Sequence, residues 1–298
     1  MKLLHFSDIH LTAKPLGWRP RDLIGKRVTG WANVKLLGRG RRFRHAPAVV
    51  RALVADIAER KPDGLVFSGD ATGLGFASEV LVAARALGVG DGEVPAVAVP
   101  GNHDCYTRRA VRDGVFEQAF GPWLHGLRVD AETYPFARQV GHVWLVCVNS
   151  STYNRWPTDA SGAVGAAQLD RLVRLCGKLS PGPRVLVTHY PLRTAAGAVE
   201  PKVHRLRDHA AVLDAAKACG IGLWLHGHIH RRFVLTPTAA IPFPVVCAGS
   251  ATQNNRWSYA EYVIDGTQVR GTWRHYDPAA GGYVDDGEFA LTMPGGEA

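Results

Sequence analysis

The chain has 298 residues, of which 46% are apolar and 33 are glycine, so its length suits one large α/β domain or two smaller domains. The composition excludes collagen, coiled coil and disorder, and no apolar run approaches the roughly 18 residues that cross a bilayer. The N-terminus lacks a secretory signal, and the five widely spaced cysteines fit reduced, buried thiols better than disulfides. We therefore expect a cytoplasmic protein.

The formal charge of +9 is concentrated in one segment. Between Arg19 and Arg44, nine basic residues stand against the single acid Asp22, and the rest of the chain is almost neutral. Tryptophans and aliphatic residues are interleaved with these charges, which predicts a basic, apolar insertion over about residues 15–45. Three interpretations stay open. Residues 19–44 bind an anionic membrane surface at the inner face of a membrane, or they pack on their own domain. The third, less favoured interpretation is that they bind nucleic acid. If the segment docks on anionic lipid, we expect it to lie apart from the residues that carry the chemistry.

In chain order, short apolar runs alternate with helical patterns, as in a sheet covered by helices. The predicted strands are 2–7, 64–68, 95–99, 142–148, 184–188, 222–225, 245–248, 260–264 and 268–275. The predicted helices are 47–60, 76–87, 108–120, 166–178 and 209–219. No Pro- or Ser-rich linker interrupts the series, which favours a single domain over residues 1–298, with a glycine-rich, acidic tail that we expect to be loose from about 279.

Polar side chains recur where the predicted strands end. These candidates are Asp8, His10, Asp70, Asn102, His103, Asp104, His189, His228 and His230. Ligands of open α/β sheets bind beyond the carboxyl ends of strands, so we expect the groups to converge on one crevice. Seven of these residues, all except His103 and Asp104, are candidate metal ligands. Their carboxylates, imidazoles and carboxamide, without thiolates, suit Mn, Fe or Zn, and seven donors are too many for one tetrahedral ion. Two metals sharing a carboxylate would use them all and would suit displacement at phosphorus.

The same residues make the sequence resemble the calcineurin-like metallophosphoesterases. Their motifs D-x-H, GD, GNH(D/E), H and GHxH are matched in order by Asp8-Ile9-His10, Gly69-Asp70, Gly101-Asn102-His103-Asp104, His189 and Gly227-His228-Ile229-His230. The resemblance implies an α/β fold with two mixed β-sheets sandwiched between helices. It also implies one metal on Asp8, His10, Asp70 and His230, and a second on Asp70, Asn102, His189 and His228.

The resemblance further implies a catalytic role for His103 as proton donor, with Asp104 behind it as an orienting carboxylate. We expect a metal-dependent phosphoesterase that cleaves a phosphodiester or pyrophosphate bond by attack of a hydroxide bridging two divalent ions. The alternatives are a membrane-associated hydrolase of a lipid-linked nucleotide or similar phospholipid-like substrate, and a non-catalytic scaffold on the same fold. Four cations after His189 are predicted to bind substrate: Arg193, Lys202, Arg205 and Arg207.

Overall fold

Strands and helices alternate along residues 1–36 and 38–294, the part of the chain that the computed structural model describes. The strands there are β1 (Lys2–Phe6), β2 (Gly64–Phe67), β3 (Ala96–Ala98), β4 (Phe136–Val140), β5 (Val143–Cys147), β6 (Arg184–Val187), β7 (Leu223–His226), β8 (Arg232–Leu235), β9 (Val245–Ala248), β10 (Ser258–Asp265), β11 (Gln268–Asp277) and β12 (Gly282–Thr292). The α-helices are α1 (Lys26–Lys35), α2 (Arg39–Arg42), α3 (Ala46–Arg60), α4 (Ala77–Ala86), α5 (Arg108–Arg112), α6 (Val115–Ala119), α7 (Ala166–Cys176) and α8 (His209–Ala218). Short 3-10 helices span Pro20–Leu23 and Gly121–Leu124.

The strands form two six-stranded mixed sheets, which confirms the predicted fold class. One sheet has the order β12-β11-β10-β1-β2-β3 and the other β4-β5-β6-β7-β9-β8. The neighbours β1, β2 and β3 run parallel, as do β5, β6, β7 and β9, while β10, β11, β12, β4 and β8 pair antiparallel with their neighbours. Each parallel set therefore brings several carboxyl ends to one edge of its sheet.

The two sheets share one apolar core. Alternate residues of β5 separate its faces: Val143 and Leu145 belong to the core that also contains β1 and β2, whereas Trp144 and Val146 pack with α7 and α8. This alternation buries β5 on both sides and explains why its sequence reads as a continuous apolar run. Helices α3 and α4 pack into the core of the first sheet.

The last strand corrects one expectation from the sequence. Residues 282–292, which lie in the tail predicted to be loose, form β12 and pair with β11 over nearly its full length. Buried Tyr283 and Leu291 anchor this strand to the core despite the acidic residues between them. The remainder of that tail, 295–298, lies outside the described residues. Within the described chain, no helix combines the length and apolarity needed to traverse a bilayer.

The basic insertion is docked on its own domain. Leu16, Trp18 and Val34 pack against a small buried cluster of Leu74, Phe76 and Tyr106. The guanidinium of Arg27 lies 4.0 Å from the Phe76 ring centroid and donates to the backbone oxygens of Leu74 and Gly75. Leu37, within this insertion, is outside the described residues. These contacts fix α1 beside the loops that follow β2 and β3.

Candidate metal centre

The loops that carry the predicted ligands have an unusual backbone. Seven non-glycine residues of the described chain have a positive φ, and five of them are predicted ligands: Asp8, His10, Asp70, His228 and His230. The left-handed region is unfavourable for residues with a Cβ, and such strain is retained where the surrounding structure and a functional site hold it. The backbone of these loops is therefore shaped to aim polar side chains at one point.

Two motif glycines allow these loops to approach one another. A Cβ on Gly101 would lie 2.1 Å from Oδ1 of Asp70, and a Cβ on Gly227 would lie 2.5 Å from Oδ2 of Asp8. Neither space admits a side chain, because real Cβ contacts of this kind stay beyond about 3 Å. The glycines in the GNHD and GHxH motifs thus serve to bring carboxylates and loops together.

Four of the predicted ligands form a first cluster. The donor atoms of Asp8, His10, Asp70 and His230 all lie within 4.8 Å of one another. The Nε2 atoms of His10 and His230 are 3.1 Å apart, and Nε2 of His230 is 3.0 Å from Oδ1 of Asp8. The first three residues are almost fully buried.

The other three predicted ligands form a second cluster beside the first. Oδ1 of Asn102 lies 3.1 Å from Nε2 of His189 and 3.0 Å from Nδ1 of His228. Oδ2 of Asp70 is 3.6 Å from Nε2 of His189 and also 3.6 Å from Nε2 of His10. A single carboxylate oxygen therefore faces both clusters, as the predicted bridging role requires.

Three of the histidine ligands use Nδ1 for a hydrogen bond to the surrounding protein, which leaves Nε2 as the nitrogen that can bind a metal. Three rings direct Nδ1 at an oxygen acceptor: His10 at Thr72 O, His189 at Ser68 O and His230 at the Gln253 side chain. This arrangement places the ring proton on Nδ1 and leaves the Nε2 lone pair free for a metal. His228 is turned the other way, with Nδ1 toward Asn102 and Nε2 3.6 Å from Oε2 of Glu200.

These residues fit a bound cation. With protons on Nδ1, the Nε2 lone pairs of His10 and His230 point at each other across 3.1 Å, and Oδ1 of Asp8 is buried without a hydrogen-bond partner among the described residues. Both arrangements are unfavourable alone, and an ion between the atoms would stabilise them. The mixed nitrogen and oxygen set matches Zn, Mn or Fe.

His103 lies at the edge of the first cluster and does not belong to the donor set. Its ring centroid is 5.0 Å from that of His10, and its Nδ1 is 2.9 Å from the backbone oxygen of Gly73. Burial, together with the charges of Arg39 and His10, lowers the pKa of His103 well below its usual value. The resting ring is therefore a neutral imidazole with its proton on Nδ1.

Asp104 does not orient His103 as the sequence led us to expect. Its carboxylate accepts hydrogen bonds from the backbone N–H groups of Ala71, Thr72 and Gly101 at 2.9–3.2 Å. It thereby ties the loop after β2 to the loop after β3, while Gly73 O holds the His103 ring. The correction follows from position: a residue adjacent to His103 in sequence points in another direction.

The insertion reaches this site, which corrects the expectation that it lies apart. Nη2 of Arg39 is 2.8 Å from Nε2 of His103, and the ring of Phe43 packs at 4.6 Å from that of His10. Burial lowers the pKa of Arg39, while Asp70 opposes that effect. No local sequence pattern marks Arg39, because its position depends on how the insertion docks.

The basic loop after His189 also carries an acid that approaches the metal centre. Arg207 donates to Asn154 and Ser161 side chains, Arg193 donates to Leu192 O, and Lys202 is exposed. Within the described part of the chain, no hydrogen bond or ion pair joins these residues or Arg205 to a predicted ligand. Glu200 approaches His228 instead, and burial raises its pKa to about 7.

The fold and the donor set together define a metal-binding hydrolase of phosphoric esters. The sequence profile described as calcineurin-like phosphoesterase matches residues 1–232, and the chain belongs to that family. A search of curated proteins gives no significant sequence match.

Solved structures with the same fold are distant in sequence. A dimetal phosphatase from Danio rerio superposes with a TM-score of 0.65 at 12% identity, covering 99% of both chains. Purple acid phosphatase PPD1 from yellow lupin superposes with a TM-score of 0.62 at 11% identity, covering 98% of this chain and 53% of that one. GAP50, the anchor in the inner membrane complex of Plasmodium, gives 0.57 at 10% identity, covering 99% and 89%. At such identities the likeness concerns the fold alone.

Proposed function

We propose that this protein hydrolyses a phosphodiester or pyrophosphate bond with two divalent metal ions held by the seven predicted ligands. The observation that carries the proposal is the position of Asp70, whose Oδ2 lies 3.6 Å from a ring nitrogen of each donor cluster. A pair of ions in such a site polarises the phosphoryl group and activates water. A binding scaffold would not need the complete donor set, which favours an enzyme.

His103 and Arg39 would act on the phosphoryl group itself. In the resting site the Arg39 guanidinium donates to Nε2 of His103, so that nitrogen carries no proton. An anionic phosphoryl group between them would accept the Arg39 hydrogen bond and favour a protonated imidazole, because opposite charge stabilises the charged form. His103 could then give its Nε2 proton to the leaving oxygen while Gly73 O holds Nδ1–H.

The single guanidinium at His103 favours a diester over a monoester. Arg39 is the one arginine whose described contacts reach His103. Beyond the two proposed metal ions, Arg39 adds one positive charge, which matches the single negative charge of a diester better than the double charge of a monoester. Lys26 is nearby but donates to the backbone oxygen of Asp159.

A substrate panel tests this activity. Protein loaded with Mn²⁺ is assayed on bis-p-nitrophenyl phosphate, p-nitrophenyl phosphate, cyclic AMP and a lipid-linked UDP-sugar. We expect hydrolysis of the diester with little hydrolysis of the monoester. Faster hydrolysis of the monoester would contradict the proposed bond type. Absence of hydrolysis with every divalent metal would contradict the proposal that the protein is an enzyme.

One observation favours a second candidate, a membrane-associated hydrolase of a lipid-linked substrate at the inner face of a membrane. Leu23 and Ile24 expose 63% and 86% of their surface beside the cations Arg19 and Arg21. Exposed aliphatic side chains next to basic ones form an interfacial anchor on anionic lipid. Binding of anionic vesicles by a variant lacking both aliphatic side chains tests this candidate.

A further inference from the structure

A cavity of about 670 Å³ lies where the basic insertion meets α5 and the loop after β5. Eight of its thirteen lining residues are arginine or lysine, and one, Asp22, is acidic. Arg19, Arg21, Lys26 and Arg27 come from the insertion, whereas Arg108 belongs to α5 and Arg155 to the loop after β5. Residues distant in sequence thus bring cations together around a space large enough for a small ligand.

Several of these cations keep their charge available. Arg27 pairs with Asp22 at 2.6 Å, and Arg109 and Arg112 pair with Asp113. The described residues place no carboxylate within ion-pair distance of the Arg19, Arg108 or Arg155 side chains, all of which are solvent-exposed. Like charges facing one another across a cavity repel, and an anion between them would relieve that repulsion.

The cavity adjoins the metal centre through two side chains. The Lys26 ammonium, which lines the cavity, lies 5.0 Å from the Tyr106 ring centroid. That ring stacks on His103 with centroids 5.3 Å apart and planes at 22°. Asp70 is among the charges that raise the pKa of Lys26 against the effect of burial, so the ammonium lies within electrostatic range of the centre. The buried Tyr106 ring therefore lies between Lys26, in the cavity wall, and His103.

We propose that this cavity binds a second phosphate of the substrate, one that the reaction leaves intact. The inference rests on the proposed function and narrows its substrate class to molecules carrying an anionic phosphate beside the scissile one. Arginines around the cavity suit this group, because guanidinium forks donate paired hydrogen bonds to phosphate oxygens. The phosphate belongs either to a soluble nucleotide or to a lipid headgroup, which present the same chemistry.

Direct binding tests the cavity without relying on turnover. The metal-loaded full-length protein is titrated calorimetrically with methylenediphosphonate, a pyrophosphate analogue that resists hydrolysis. The cavity variant carries Arg19→Gln, Arg108→Gln and Arg155→Gln. Its control carries Arg51→Gln, Arg85→Gln and Arg270→Gln, which remove equal charge from exposed positions elsewhere. We expect two sites in the wild type and the control, with the cavity site weakened at least about tenfold in the cavity variant. Identical titrations of all three proteins would overturn the proposal.

A matched pair of substrates tests the link to hydrolysis. Thymidylyl-(3′→5′)-thymidine and its 5′-phosphorylated form differ by one remote phosphate. We expect the wild type to have a lower KM for the phosphorylated form, and the cavity variant to lose this preference while hydrolysing the plain dinucleotide normally. A preference that persists in the cavity variant would contradict the inference. If neither dinucleotide nor any panel substrate is hydrolysed while the cavity site still binds the analogue, the proposed function fails and the anion site stands.

Vesicles distinguish the two sources of the phosphate. Phosphatidylcholine vesicles with and without phosphatidic acid are sedimented with the wild type, the cavity variant and the control. Binding that needs phosphatidic acid and is lost only in the cavity variant assigns the site to a headgroup phosphate. Absence of sedimentation with retained binding of the soluble analogue assigns it to a soluble phosphate.

Discussion

The metal centre and the basic insertion meet at His103, yet they are built in opposite ways. Every donor of the centre follows a strand of one of the two sheets, and five of the seven hold a left-handed backbone that the packed loops maintain. The insertion instead lies outside both sheets and sends Arg39 and Phe43 into the site while Leu23 and Ile24 face solvent.

The metal centre and the insertion therefore differ in how tightly the surrounding structure constrains them. The centre tolerates little change, because Gly101 and Gly227 leave no space for a side chain between its loops. The insertion depends on a few contacts, chiefly those of Arg27 with Asp22 and with the backbone of Leu74 and Gly75. We infer that the sheets position the metal ligands, whereas the insertion supplies Arg39 beside His103.

The strongest effect should come from removing the shared carboxylate. Asp70→Asn should lower the metal content and reduce turnover by about 10³-fold or more. The reason is that the metals stabilise the transition state by several kcal/mol, and Asp70 is the ligand that both would share. Elemental analysis and diester hydrolysis measure the two effects. The exposed Asp214→Asn serves as a control with the same chemical change. Full metal content in Asp70→Asn would show that this carboxylate does not hold the ions.

Removing His103 should separate metal binding from turnover. His103→Ala should retain both metals, because its ring belongs to neither donor cluster, and should reduce turnover by about 10² to 10⁴-fold, the usual range for a positioned general acid. The exposed His142→Ala is the control. A series of diesters with leaving groups of different basicity tests the role, since good leaving groups need no proton. Equal losses across that series would contradict proton donation.

Arg39 connects the two regions and should have an intermediate effect. Arg39→Ala should lower kcat on a small soluble diester by about 10²-fold, the usual cost of losing one donor to a developing charge. Arg39→Lys should recover part of that loss. Arg41→Ala, on the exposed face of the same short helix, should leave kcat unchanged. If the Arg39 and Arg41 variants behave alike, the insertion does not take part in the reaction.

The centre could be predicted from the sequence because its information is local. The spacing of Asp8 and His10, and of His228 and His230, marks a strand end followed by a loop, and the parallel strands then bring these ends together. The periodicity also located most of the buried strands. It missed β4, β8 and β12, because β4 carries Arg138 and Gln139 in its middle, β8 is only half-buried, and acidic residues dilute the apolar pattern of β12.

The roles of Arg39, Glu200 and Asp104 could not be predicted in the same way. Arg39 reaches His103 across 64 positions, and Glu200 approaches His228 from a loop that reads as merely polar. Asp104 has the predicted position in sequence, but its carboxylate is taken by backbone N–H groups of neighbouring loops. Each role depends on tertiary packing, which neither spacing nor composition encodes.

The smallest effect on chemistry should come from the outer face of the insertion. Leu23→Ser combined with Ile24→Ser should leave hydrolysis of a small soluble diester unchanged, because these side chains face solvent. If the insertion docks on anionic lipid, the same variant should bind phosphatidylglycerol vesicles about tenfold more weakly, since two aliphatic side chains would no longer be buried in the interface. Val111→Ser combined with Val173→Ser, at exposed positions outside the insertion, provides the control. Sedimentation at low salt measures binding, and activity on a lipid-linked substrate should fall in parallel. Equal vesicle binding by both double variants would exclude a lipid-facing role for Leu23 and Ile24 and leave the insertion as a wall of the active site.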